Sequence, residues 1–101
     1  MFREYKAEAL SRLATDARYQ PEGWSDTEAS DFRLLDQCAH AAKVDTDLRN
    51  LRMLRITPNG DSATKARATV GASRVIGLTF KDPKAAPTVA FELLAPDRDA
   101  P

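Results

Sequence analysis

The hydrophobic pattern of this chain changes period once, and that change limits the fold more than any other feature. Through the first half, apolar residues recur every three to four positions; from Arg52 onward they alternate. Phe2, Tyr5, Ala9, Leu13 and Ala17, with Leu10 beside them, predict a helix over 2–19 that turns Glu4, Glu8, Arg12 and Asp16 outward. The stretch QPEG, with Pro21 and Gly23, stops it. Ser25 and Glu28 then have the spacing of a capping box, in which each side chain bonds the other's exposed backbone N–H. The helix they open should face inward with Phe32, Leu35, Cys38, Ala39 and Ala42. VDTDLRNL predicts one more helical turn, with Leu48 and Leu51 inside.

The alternating half predicts strands from Arg52 to Ile56, Thr64 to Val70, Arg74 to Phe80 and Thr88 to Leu94, divided by TPNGD, GAS and KDPKAAP. Helices followed by a β-meander imply an α+β domain: two N-terminal helices packed on one face of a three- to four-stranded antiparallel sheet. A chain of 101 residues has room for one core, so residues 1–94 are expected to form one domain. The polar, Pro-bounded APDRDAP at 95–101 is expected to be disordered.

The most legible passage is KARATVGASRVIGLTF, residues 65–80. If Val70 faces Arg74 across the Gly71-Ala72-Ser73 loop, residue 68 pairs with 76 and 66 with 78. The core face then holds Ala66, Ala68, Val70, Ile76, Leu78 and Phe80. The other holds Lys65, Arg67, Thr69, Val75, Gly77 and Thr79, with Arg67 opposite the side-chain-free Gly77. Arg74 falls at the hairpin mouth on the core side, near the edge. Such a ribbon is either an ordinary solvated face or a cradle for phosphates, with Lys65, Arg67, Arg74 and Lys81 as its cations.

Fifteen Lys/Arg balance fifteen Asp/Glu, but unevenly along the chain. Residues 1–50 carry seven basic against ten acidic side chains, and residues 51–94 seven against three. A basic half can attract nucleic acid or an acidic protein; a merely solvated surface explains it equally. Cys38 is the one cysteine and His40 the one histidine, so neither a disulfide nor a tetrahedral metal set is expected. Cys38 reads as a small buried hydrophobe and His40 as a surface side chain. Trp24, just before the capping box, reads as an anchor stapled to the helix. No nucleotide-binding fingerprint and no nucleophile motif occurs, and no cofactor is implied. No apolar run reaches a membrane span, and MFREYKAEAL has charges where a secretory signal is apolar, so a cytoplasmic location is expected.

LDQCAHAAKVDTDLRNLRMLRI followed by ATVGASRVIGLTFKD resembles the RelE/ParE-like toxins of bacterial toxin–antitoxin pairs, in particular their HigB-type, or plasmid-maintenance killer, branch. Leu34, Leu35, Ala39 and Ala42, then Asp47-Leu48 and Leu51, carry the first part of the pattern; Gly60, Val70, Arg74, Ile76 and Phe80 carry the rest. The resemblance spans residues 30–94. It implies ribosome-dependent mRNA cleavage, or gyrase inhibition in the ParE branch, with an antitoxin as protein partner. It also implies that sheet-face cations hold phosphate and neutralise the charge of the transition state without a metal. Carried over by position, Arg74 matches the family's strand arginine, while Arg67 and Lys65 match only in being cations on the preceding strand, Arg67 three residues from the family's usual place. Arg67 and Arg74 are therefore the expected catalytic cations, and Lys65, Arg67, Arg74 and Lys81 the expected RNA contacts. The last strand, TVAFELL, supplies no His or Tyr for proton transfer, and Met1 to Arg3 would have to supply the family's N-terminal strand. The other reading is a non-catalytic inhibitor or immunity protein that uses its acidic helices and basic sheet against a protein partner.

Overall fold

A computed structural model describes residues 1–81 and 86–94. The first departure from expectation comes at once: Phe2–Tyr5 is a strand, β1, and the first helix, α1, covers only Glu8–Thr15. The helical spacing of Phe2 and Tyr5 is coincidental. Alternation operates instead, with Arg3 and Tyr5 turned toward the helices while Phe2 is 68% exposed. Local pattern could not reveal this, because β1 is fixed by parallel pairing with a strand more than eighty residues away, Phe2 against Thr88 and Tyr5 against Phe91.

Helix α1 is short but buries Leu10 and Leu13 completely. Its C-terminal carbonyls, left without intrahelical donors, are met by Arg33 of the next helix. That guanidinium donates to Leu13 O at 3.0 Å, to Asp16 O at 3.1 Å and to Tyr19 O. Helix α2 runs Asp26–Ala41 and begins as its sequence requires: Ser25 Oγ accepts from Glu28 N–H at 3.1 Å, and Glu28 Oε1 from Ser25 N–H at 2.7 Å. Its inner stripe is Ala29, Phe32, Leu35 and Ala39, with Cys38 half-buried beside it. Trp24 meets Phe32 edge-on, ring centres 6.5 Å apart.

The expected strand at Arg52–Ile56 is a second correction. After α3 (Asp45–Arg49) the chain makes a 3-10 turn at Arg52–Leu54, passes through a left-handed residue at Arg55 (φ 50°, ψ 48°), and only then forms β2, Ile56–Pro58. Leu48, Leu51 and Leu54 recur every third residue, and a three-residue turn brings such positions onto one side. Leu48 and Leu54 are buried accordingly. An alternating strand would have sent Leu51 and Leu54 to opposite faces.

Strands β3 (Lys65–Val70), β4 (Arg74–Lys81) and β5 (Thr88–Leu93) complete one five-stranded sheet of order β1-β5-β4-β3-β2. The sheet is mixed rather than antiparallel, because β1 joins β5 in parallel. The inferred hairpin register holds throughout: Val70 faces Arg74, Ala68 faces Ile76, Arg67 faces Gly77 and Ala66 faces Leu78. Ala66, Ala68, Val70, Ile76, Leu78, Val89 and Phe91 form the floor of the core, with α1 and α2 packed on that side. Phe91 meets Phe32 edge-on at 5.5 Å. The expectation for the 95–101 tail lies outside the described residues. No helix among the described residues is long and apolar enough to cross a membrane.

Candidate nucleic-acid interface on the open sheet face

The helices cover one face of the sheet, so its other face is assembled from every second residue of each strand. One cross-strand row runs Glu4, Ala90, Thr79, Lys65; the next runs Glu92, Gly77, Arg67, Thr57. Three of the four expected cations, Lys65, Arg67 and Lys81, therefore share this face.

Their surroundings differ. Lys81 reaches diagonally across β5 to Glu4, Nζ to Oε1 2.7 Å, and this bond holds the Glu4 carboxyl below its ordinary range. Arg67 donates from Nε to Asn59 Oδ1 at 3.1 Å, a neutral partner that orients the guanidinium without cancelling its charge. Lys65 is exposed, and among the described residues neither it nor Arg67 takes part in an ion pair. Two residues apart on one strand, their Cα atoms stand about 7 Å from each other, a separation close to that of successive phosphates in an extended polynucleotide. Gly77 matters here: a Cβ at that position would lie 3.0 Å from Glu92 Cγ and 3.1 Å from Leu94. The missing side chain leaves room for Glu92 and Leu94 to pack against this strand.

Arg74 is elsewhere. Its Nε donates to Glu28 Oε2 at 2.8 Å, its Nη2 to Gly23 O at 3.0 Å, and its guanidinium lies 4.6 Å from the centre of the Trp24 ring. It ties the hairpin to the start of α2, on the helix side of the sheet. The hairpin loop is clamped there further. Gly71 N–H donates to Asp31 at 2.7 Å, and Arg55 donates to Gly71 O at 2.7 Å and to Thr69 O at 3.1 Å. So the structure brings Lys65, Arg67 and Lys81 together and assigns Arg74 to the fold's frame.

A second polar group was not legible as a site. Asp36 is only 3% exposed, midway along the inner stripe of α2, and it accepts from Arg3 Nη1 at 2.8 Å and from the Tyr5 hydroxyl. Burial, and then the bond to Asp36, raises the Tyr5 phenol above its ordinary value. The signal was present in outline. An aspartate stands one position after Leu35 on an apolar stripe, and FREY alternates, so a buried acid needed a donor from the sheet. His40, one turn further along α2, is exposed, as expected. No group of three His, Cys, Asp or Glu side chains among the described residues is disposed to hold a metal ion.

Comparison with known protein families, with characterised proteins and with solved structures finds no match to this chain.

Proposed function

We propose that this chain is the toxin-like member of a toxin–antitoxin pair and acts on RNA, with the open sheet face as its RNA-contacting surface. The observation that carries the reading is the pair Lys65 and Arg67, adjacent and exposed on the sheet face away from the helices and lacking an ion-pair partner among the described residues. Arg67 is the cation set against the reacting phosphate. Its Nε is held by Asn59, and its terminal nitrogens remain as a planar pair of donors for phosphate oxygens. A fixed cation of this kind stabilises the negative charge that builds on the non-bridging phosphoryl oxygens as the neighbouring 2′-oxygen bonds to phosphorus and the P–O5′ bond breaks, with water taking the 2′-hydroxyl proton and protonating the leaving 5′-oxygen. Lys65 contributes a point charge to the adjoining phosphate, and Lys81 joins if its bond to Glu4 opens. Arg74 contributes by holding the hairpin that presents them.

The test is a translation reaction with purified components, in which mRNA integrity is read by primer extension. The wild type is expected to cut mRNA within codons, and folded Lys65→Ala and Arg67→Ala variants to lose that cleavage. Intact mRNA and undisturbed translation with wild type would sink the reading. A non-catalytic inhibitor or immunity protein is the second reading, favoured by the separation of charge: Glu8, Asp16, Glu22 and Asp26 are exposed in the helical half, while Lys65 and Arg67 are exposed on the sheet. Under that reading RNA is untouched, and a charge-reversed protein partner competes for the same face.

A further inference from the structure

A cavity also lies away from the open face. A cleft of about 690 Å³ lies beside β1, one of the two edge strands of the sheet, between that strand and the last turn of α2. Its volume falls within the range of small-molecule sites. Three of its lining residues are aromatic, Phe2, Tyr5 and His40, and Arg3 and Lys43 add cationic nitrogens. Ala42 and Pro87 contribute apolar floor, and none of the described lining residues is acidic.

Two features set this cleft apart from a chance hollow. Phe2 is the most exposed large apolar side chain among the described residues, on a strand whose neighbours have partners. Arg3 and Tyr5 are locked from behind by the buried Asp36, so their positions are fixed before any ligand arrives. Only one guanidinium nitrogen of Arg3 is used in that bond, and the side chain keeps 28% of its surface exposed. Arg3 and Tyr5 reach the cleft from the helix side of β1, while Phe2 stands on the strand's other face at the cleft rim. A guanidinium fixed by the buried Asp36, with an aromatic ring at the strand edge and no other carboxylate among the described lining residues, suits a ligand that joins a flat ring to an anion. We infer that the cleft is a nucleotide site, in which the base lies against Phe2 and the phosphate is held by Arg3 and Lys43. The nucleotide is either free or one unit of a single-stranded RNA. This inference stands apart from the open-face reading, because it shares no residue with Lys65 and Arg67.

The experiment is a titration of the isotope-labelled full chain, followed by amide resonances. The ligands are AMP, GMP, CMP and UMP, each beside inorganic phosphate, the matching nucleoside and a hexaribonucleotide. At least one mononucleotide is expected to move the resonances of Phe2, His40 and Lys43 and to bind tenfold or more better than phosphate or nucleoside alone. Phe2→Ala and Lys43→Ala, both substitutions of exposed side chains, are each expected to weaken it about tenfold, the first by loss of one base–aromatic stack and the second by loss of a charge-assisted bond to phosphate. A mononucleotide that moves the resonances of Lys65 and Arg67 instead of those of Phe2, His40 and Lys43 binds the open face, and that outcome would overturn this inference while leaving the reading of the open face intact. Read at the resonances of Phe2, His40 and Lys43, a hexanucleotide that saturates the cleft at lower concentration than any mononucleotide identifies an RNA strand as the source; equal affinity there identifies a free nucleotide. The inference is overturned if no mononucleotide at millimolar concentration moves the cleft resonances. Phosphate binding as well as the nucleotides, or indifference to Phe2→Ala, would overturn it too.

Discussion

Arg67 and Arg74 lie on adjacent strands of one hairpin, yet they do different work because they point to opposite sides of the sheet. The two-residue period of a strand makes this difference absolute. Arg67 has water on its side, and its replacement by alanine should change stability by no more than about 0.5 kcal/mol. Arg74→Ala leaves Glu28, whose side chain is only 15% exposed, without its cation. Because the Arg74 side chain is itself a third exposed, a loss of about 1–2 kcal/mol is expected, rather than the larger value of a sealed pair. Urea denaturation of the two variants side by side measures the contrast, and equal losses would contradict it. If the open face holds phosphates, the salt dependence of RNA binding should report the same division. Two phosphate contacts on a single strand give a slope of about −1.4 in log K against log salt, and Arg67→Ala alone should reduce it by about 0.7. The register that distinguishes the two faces was legible in the hairpin sequence. That Arg74 finds Glu28, Gly23 and Trp24 was not, since those residues lie about fifty positions away.

At the scale of the element, the hairpin loop and the first turns of α2 behave as one unit. Gly71 has a left-handed backbone (φ +63°), and a methyl group there would run into Glu28 Cγ. Gly71→Ala therefore combines backbone strain with a clash and should cost about 1–3 kcal/mol, read as a lower urea midpoint with an unchanged m-value. Glu28 also makes the unit sensitive to acid. The bond from Ser25 N–H, and then Arg74, holds its carboxyl below the ordinary value of 4.5. A carboxyl depressed in the folded state contributes stability above that ordinary value, and the contribution is lost as pH falls through the lower folded one. Glu28→Gln keeps the capping-box geometry but not the charge. Its melting temperature should consequently fall less steeply than wild type below pH 4.5. The capping box could be read from Ser25 and Glu28 alone. The second use of the same glutamate, as the seat of the hairpin, could not.

For the whole molecule, the decisive contact is β1 against β5, with Asp36 beneath it. Arg3 and Tyr5 are brought to Asp36 by that pairing, and the three groups bind the first strand to the middle of α2. Asp36→Ala would leave both donors facing an apolar stripe and should destabilise the protein by about 3 kcal/mol, the low end for breaking a buried pair because Arg3 is partly exposed. The Tyr5 phenol, raised above its ordinary value of 10.0 by burial and by Asp36, supports the fold while it is protonated. That support is present below the ordinary value and is lost as pH rises through the folded one. The difference in alkaline absorbance titration between wild type and Tyr5→Phe should place Tyr5 ionisation above the range of a free tyrosine.

The chain's own pattern determined what depends on neighbours in sequence: helix α2 and its cap, the hairpin with its register, and the strand at Thr88 that follows it. Each rests on a period, a turn or a cap that spans fewer than twenty residues. Tertiary structure decided β1, the 3-10 turn before β2, the frame role of Arg74 and the burial of Asp36. Each of these is a local preference overruled or completed by a partner far along the chain. Phe2–Tyr5 fits a helical stripe as well as an alternating strand when read alone, and the backbone hydrogen bonds and buried carboxylate waiting at β5 and α2 select the strand.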